Sequence, residues 1–312
     1  MGSNSSKKEI ASWYGRALLI FILIAVAWYI RANLREIVKH EFSFNYRYLA
    51  ASFAIMLAAH LSMVIIWKDV AASYGLKAPF KKTAKAFFLS QLGKYLPGKL
   101  GIFLVRFSVY REHSKRKIAV ATSVEYISLF TATFFLVIIG LAFAPKRTPD
   151  WIRWMSGAGI LAFLVILWPP FFQKAINGGL KILKKPPLRE FPPYRKTIKY
   201  ITAYLFTGLL FGLSLHLSLS AVDPVPFQYF ITITGTFFAA ILAGIAAVFA
   251  PSGIGVREGV LFMILPAFMP KPTVIIGAIL SRLVMTASEL LLALFFSILD
   301  KPKNAGEKKT AD

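Results

Sequence analysis

The sequence contains no cysteine. That excludes a disulfide framework and thiol chemistry alike. Acid is scarce: 14 Asp and Glu stand against 37 Lys and Arg, a formal net charge of +23. Histidine occurs only four times, scattered, and neither HExxH nor CxxC is present, so a structural metal site of those spacings is excluded. No clustered carboxylates, no Ser/His/Asp set and no His-rich motif appears. The expectation is therefore a protein that is not an enzyme and needs no cofactor. Charge as a whole is thin, 16% of residues where soluble domains carry about 25%. Apolar residues fill the difference, at 57% with a mean hydropathy of +0.62. This is the composition of a polytopic membrane protein. In a soluble chain the basic excess would suggest nucleic acid as a partner. Here the Lys and Arg lie in short loops beside apolar runs, the arrangement that sets membrane orientation, and nucleic acid is not expected.

Apolar runs at 13–30, 49–67, 118–144, 151–172, 200–222 and 273–299 read as about six spanning helices. The first follows Lys7 and Lys8 and contains Ala25-Val26-Ala27, as a signal peptide would. No polar region precedes that supposed cut, and a retained span is preferred. The expected organisation is a cytoplasmic tail over 1–12, one membrane domain over 13–299 and a Lys-rich cytoplasmic tail over 300–312. Within the domain, 174–199 holds eight Lys and Arg with Pro186-Pro187 and Pro192-Pro193. It reads as an extended connector.

One apolar stretch resists the simple reading. Gly93-Lys94-Tyr95-Leu96-Pro97-Gly98-Lys99-Leu100-Gly101 sits inside the run 86–107. Proline removes a backbone donor, and each Lys at mid-membrane costs roughly 2.5–3.5 kcal/mol on insertion scales. Irregular backbone persists at that depth only when buried in protein or lining a wet cavity. The stretch therefore reads as the tip of a re-entrant hairpin, the alternative being an amphipathic loop on the cytoplasmic surface. Orientation supports the hairpin. Positive-inside counting puts the basic segments 68–85, 111–117 and 174–199 all in the cytoplasm, so both flanks of 84–107 lie on one side. The loop 223–228 carries no Lys or Arg and is placed outside. With a cytoplasmic C-terminus, the run 229–268 then cannot be one plain span. It is either a second re-entrant pair or a span with a returning half-helix, and the pair is favoured.

The halves share landmarks: His60 and His216, Pro97 and Pro251, Glu125 and Arg282, at offsets of 156, 154 and 157 (216−60, 251−97, 282−125). An inverted repeat follows, 49–144 against 200–299, with a site where the broken segments meet. The fold expected is all-α: about six spans plus two re-entrant hairpins.

The pieces Gln91-Leu92-Gly93-Lys94-Tyr95-Leu96-Pro97-Gly98-Lys99, Ser123-Val124-Glu125, Pro251-Ser252-Gly253-Ile254-Gly255-Val256-Arg257-Glu258-Gly259 and Ser281-Arg282-Leu283 together resemble the lysylphosphatidylglycerol synthase transmembrane-region family, also called flippase-like. Relatives include the membrane half of bacterial enzymes that aminoacylate phosphatidylglycerol and move the product across the bilayer. Those enzymes add a large soluble domain after the membrane part, whereas this chain stops a dozen residues past its last span. The resemblance thus implies a stand-alone member that translocates lipid without lysyl transfer, in the cell membrane. Relatives with the attached domain pair up, which makes a homodimer a candidate assembly.

The expected substrate site gathers Lys94, Lys99, Arg106 and Arg257 around the two breaks, with half-helix N-termini near Lys99 and Gly255 offering N–H groups to a lipid phosphate. Gly98 and Gly253 let backbone approach the ligand. Glu125 and Arg282 are buried charges in apolar spans and should pair: with each other across the repeat, or Glu125 with a Lys of the break. Glu258 is open to Arg257 or Lys271, and Glu289 to Arg282. His60 and His216 read as hydrogen-bonded core residues, with proton coupling left open. A transporter of a small anionic solute is the alternative function.

Overall fold

The computed structural model describes residues 34–92, 101–144, 194–247 and 253–299, together with Ile24, Arg31 and Ala250. The first and fourth expected spans, the Lys94–Lys99 break, the connector before Tyr194 and both tails lie outside the described residues. Within them the chain is helical, with no strand. The helices are α1 Leu34–Lys39, α2 Tyr46–Ser73, α3 Phe80–Leu92, α4 Gly101–Val109, α5 Lys115–Ala142, α6 Tyr194–Ser220, α7 Phe230–Ala246, α8 Val256–Ile264 and α9 Lys271–Leu299.

Among the described residues, five segments are long and apolar enough to cross a membrane: Tyr46–Ser73, Lys115–Ala142, Arg195–Ser220, Phe227–Ala246 and Lys271–Leu299. The helix ends carry local signals. Asn45 caps α2, its side chain accepting the Arg47 N–H at 3.0 Å. At the other end the Leu76 N–H reaches the Ala71 carbonyl and the Gly75 N–H the Ala72 carbonyl, both at 3.0 Å. That is a Schellman stop, and it needs the φ of +77° that Gly75 supplies. The extended connector proves shorter than expected. Helix α6 begins at Tyr194, directly after Pro192-Pro193, where proline favours the entry to a helix over its interior.

Helices α2 and α6 form the spine. They run antiparallel along their whole length, joined from one end to the other. Lys199 meets Asp69 at 2.7 Å, and Ser62 meets Thr207 at 2.8 Å. The Ser52 hydroxyl contacts those of Ser214 and Ser218 at 2.9 and 2.8 Å, and the Asn45 N–H donates to the Ala221 carbonyl at 2.8 Å. Hydroxyls serve as glue between membrane helices, where lipid removes most of the apolar drive for association.

Two buried layers stack along this spine. One gathers Trp67, Phe87, Phe88, Tyr110, Tyr200, Tyr204 and Phe296. The other gathers Met56, Leu215, Leu219, Ile233, Leu265 and Val274. Small residues permit close crossings: a Cβ on Gly235 would stand 2.5 Å from the Gly140 Cα, so α5 and α7 touch backbone to backbone.

The two broken segments fold back on themselves. Helices α3 and α4 pack together, and their outer ends meet through Lys82 and Glu112 at 3.3 Å. Helices α7 and α8 do the same, with the Tyr229 and Phe268 rings 4.8 Å apart at the mouth. The 13 residues of α3 and the 9 of α4 give about 20 and 14 Å at 1.5 Å per residue, each short of a 30 Å core. Phe227–Ala246 is a longer limb than a half-helix, since no residue interrupts it before Ala247.

Candidate functional site

Four charged side chains form the polar centre of the fold, two for each broken segment. In the first half, α4 turns Arg106 into the core beside α5. Arg106 Nη2 donates to Glu125 Oε1 at 3.1 Å, while Nη1 donates to Glu125 Oε2 and, at 3.2 Å, to Thr122 Oγ1. The guanidinium carbon lies 3.7 Å from the Trp67 ring centroid. The Arg106 and Glu125 side chains are 0% and 2% exposed. Burial of charge is tolerable only with pairing and hydrogen bonds. The two-pronged fork supplies both, and the aromatic face takes the flat side of the cation.

In the second half the charges are exchanged. The carboxylate sits on the short helix and the guanidinium on the span. Glu258, in the first turn of α8, accepts the Gly255 N–H on Oε2 at 2.7 Å and Arg282 Nη1 on Oε1 at 2.6 Å. The first contact is half of a capping box; glycine has no side chain for the other half. This pair is not sealed, with Arg282 26% and Glu258 15% exposed.

The break before α8 is shaped by its glycines. Gly253 holds φ at +68°, and a Cβ there would stand 2.7 Å from the Gly244 Cα, so the turn folds tightly onto α7. Arg257 lies across the same crossing: a Cβ on Gly244 would meet its Cγ at 2.9 Å and its Nε at 3.0 Å. On the neighbouring face, a Cβ on Gly259 would meet nothing within 4 Å. That side of α8 borders open space.

A family model described as the lysylphosphatidylglycerol synthase TM region matches residues 16–293. The chain belongs to that family. No curated protein matches it. The matched region contains both ion pairs and four of the span-length helices whole, and it reaches residue 293 of the fifth, Lys271–Leu299. Membership and the apolar helices together make this a multi-pass membrane protein.

Within this TM region the sequence-level site is partly assembled and partly rearranged. Lys94, Lys99 and Gly98 lie outside the described residues. Arg106 and Glu125 come together, sealed in the core. The expected pairing of Glu125 with Arg282 is overturned: each takes its partner from its own half, because the short helix of each hairpin packs against the span that follows it. Glu289, expected beside Arg282, instead stands 3.6 Å from His60 Nε2. The Gly255 N–H, expected to face a ligand, is occupied by Glu258. Gly253 does adopt a conformation that favours glycine, and what approaches it is the backbone of Gly244.

His60 behaves as a hydrogen-bonded core residue. Its Nδ1 is 3.1 Å from the Ser288 hydroxyl and its ring stands edge-on to Phe211 at 5.2 Å. His216 packs against Phe227 and Phe230. Sequence reasoning missed Trp67 and Thr122 as the walls of the first pair, and Glu258 as the partner of Arg282. A signal for Glu258 existed: an acid three residues after a helix-opening Gly is the capping-box position.

Proposed function

We propose that this protein is a lipid translocator. It moves an anionic or phosphate-bearing lipid between leaflets through a groove between two re-entrant hairpins of an inverted repeat, with no covalent step. The observation that carries the reading is the packing pattern. Exchange α2 with α6, α3 with α7, α4 with α8 and α5 with α9. Then α3–α4 becomes α7–α8, α5–α7 becomes α3–α9, and α5–α6 becomes α2–α9. Likewise α4–α5 becomes α8–α9, α2–α5 becomes α6–α9, and α2–α3 becomes α6–α7, while α2–α6 maps onto itself. All of these pairs are packed. A self-mapping antiparallel pair at the centre is what a two-fold axis in the membrane plane requires, and transporters of that plan hold their substrate where the broken helices meet.

Three further features support it. Both hairpins close at their mouths, through Lys82 with Glu112 and Tyr229 with Phe268. Each ion pair lies deep. Glu125 is 10 residues past Lys115 and Arg282 is 11 past Lys271, about 15 and 16 Å along their helices at 1.5 Å per residue. Arg282, 26% exposed, offers a positive charge that is not sealed in the core, as an anionic headgroup needs. In this reading both termini face the cytoplasm of a cell membrane.

The test is translocation in proteoliposomes. Fluorescent phosphatidylglycerol and phosphatidylcholine are followed by bleaching of the outer leaflet with dithionite. Faster loss of the protected pool for phosphatidylglycerol, relative to empty vesicles, is the expected result. Uptake of radiolabelled glycerol 3-phosphate with no lipid movement would replace the lipid reading with the solute one.

A further inference from the structure

We infer that the Glu258–Arg282 pair is an anion-exchange clasp: Glu258 holds the place of the substrate's negative group, and that group displaces it from Arg282. The inference deepens the proposed translocation and rests on it for the identity of the anion. It begins with the contrast between the two pairs. Each joins a short helix to the span that follows it, but Arg106 stands in the last turn of α4 and Glu258 in the first turn of α8, and the two pairs are built for different purposes. Arg106 and Glu125 engage with both prongs, add Thr122, stack on Trp67 and are closed to solvent. Nothing can enter between them without dismantling the core. Arg282 and Glu258 are joined through one carboxylate oxygen, while the other oxygen is committed to the Gly255 N–H. Their side chains are 26% and 15% exposed, and the next residue along α8, Gly259, adjoins open space.

A carboxylate and a phosphate ask the same thing of a guanidinium: two oxygens in the plane of its N–H groups. A headgroup arriving along the Gly259 face offers more than the single oxygen Glu258 gives. Glu258 retains the Gly255 N–H as an anchor when it lets go, so its charge is never left without a donor. When the headgroup departs, Glu258 returns to Arg282 and the resting pair is restored. The pair therefore sets selectivity for anions and aids release.

The experiment uses the full chain in detergent micelles and in proteoliposomes. Inorganic phosphate and dispersed phosphatidylglycerol serve as separate binding probes, and fluorescent phosphatidylglycerol serves for translocation. Glu258→Gln removes the competing charge and should tighten binding of both probes about tenfold, the weight of a charge-assisted contact, while slowing lipid release and turnover. Tighter binding of phosphatidylglycerol alone would assign the clasp to a headgroup; tighter binding of phosphate alone would assign it to a free anion. Asp69→Asn, which removes one carboxylate from the exposed Asp69–Lys199 pair, is the control and should leave both affinities unchanged. If Glu258→Gln does not fold, Glu258→Asp withdraws the carboxylate by one methylene and should raise anion affinity by a smaller factor. Unchanged affinity for both probes in a folded Glu258 variant overturns the clasp and leaves the pair a staple. Wild-type protein that binds phosphate through Arg282 but moves no lipid would remove the translocator reading and leave the clasp standing.

Discussion

Consider Arg106→Met. The guanidinium fork leaves, and Glu125 remains at 2% exposure with neither of the two Nη donors it had. Thr122 Oγ1 loses its Arg106 contact and the Trp67 face loses its cation. Removing one partner of a buried pair costs about 3–5 kcal/mol, because the survivor is a desolvated charge. For a protein of this size about 2–4 °C of melting temperature accompanies each kcal/mol, so the midpoint should fall by roughly 6–20 °C. Arg106→Met combined with Glu125→Leu removes both charges and refills the space with apolar volume. Replacement of a buried pair by apolar residues is often neutral, so the double variant should recover most of the loss. The midpoint can be followed in detergent micelles by tryptophan fluorescence, with Trp67 against the changed site. A single variant within about 2 °C of the parent, or a double variant whose loss is the sum of the two singles, would refute the reasoning. The second outcome would mean that the two residues are not coupled.

Three other expectations follow from the packing. Gly235→Leu should abolish the folded protein, since even its Cβ would stand 2.5 Å from the Gly140 Cα, whereas Gly259→Ala should melt with the parent because that Cβ meets nothing within 4 Å; paired melting curves decide it. Ser52→Ala strips the hydroxyl that Ser214 and Ser218 share and should cost about 0.6 kcal/mol, with roughly 1.7 as the ceiling seen for such contacts in membranes, read as a small drop in thermal midpoint. In a chain free of cysteine, Lys82→Cys and Lys115→Cys should react with an impermeant maleimide from the same face of sealed vesicles; labelling from opposite faces would end the re-entrant reading of the first hairpin.

The long apolar runs were readable because membrane crossing leaves a signal in the sequence itself. The cores of α2, α5, α6 and α9 were all expected, the largest errors being six residues each (73−67 and 200−194), at the end of α2 and at the start of α6. There, basic residues from Arg195 to Lys199 read as connector, although they are the first turns of the helix. A helix end at a membrane surface tolerates Lys and Arg, so charge marks the surface and not the end of the helix. The break at Gly253–Gly255 was legible from its Pro and Gly. The ion-pair partners were not. Glu125 and Arg282 were matched because they stand at nearly the same offset as the other paired landmarks of the sequence, but equal spacing does not imply contact. Their real partners lie on the short helices, and which face α4 or α8 presents depends on how the break folds back. Arg106 and Glu258 were both visible as charges beside a break. Arg106 stands in the last turn of α4 and Glu258 in the first turn of α8, so no common offset pointed to the two together.

The hydroxyls along α2 and α6 have a consequence of a different kind. Ser52 touches Ser214 and Ser218 together, two residues four apart and so one turn of helix α6 from each other. A hydroxyl donates and accepts with little regard for direction, and Ser52 and Ser214 each reach a backbone carbonyl as well. Sliding α2 along α6 by part of a turn would trade one oxygen for the next without stranding either. The Arg106–Glu125 fork allows no such trade, since a planar two-pronged grip either fits or breaks. The spine of this protein is thus held by bonds that can change hands, whereas the first short helix is locked to its neighbouring span by a grip that cannot.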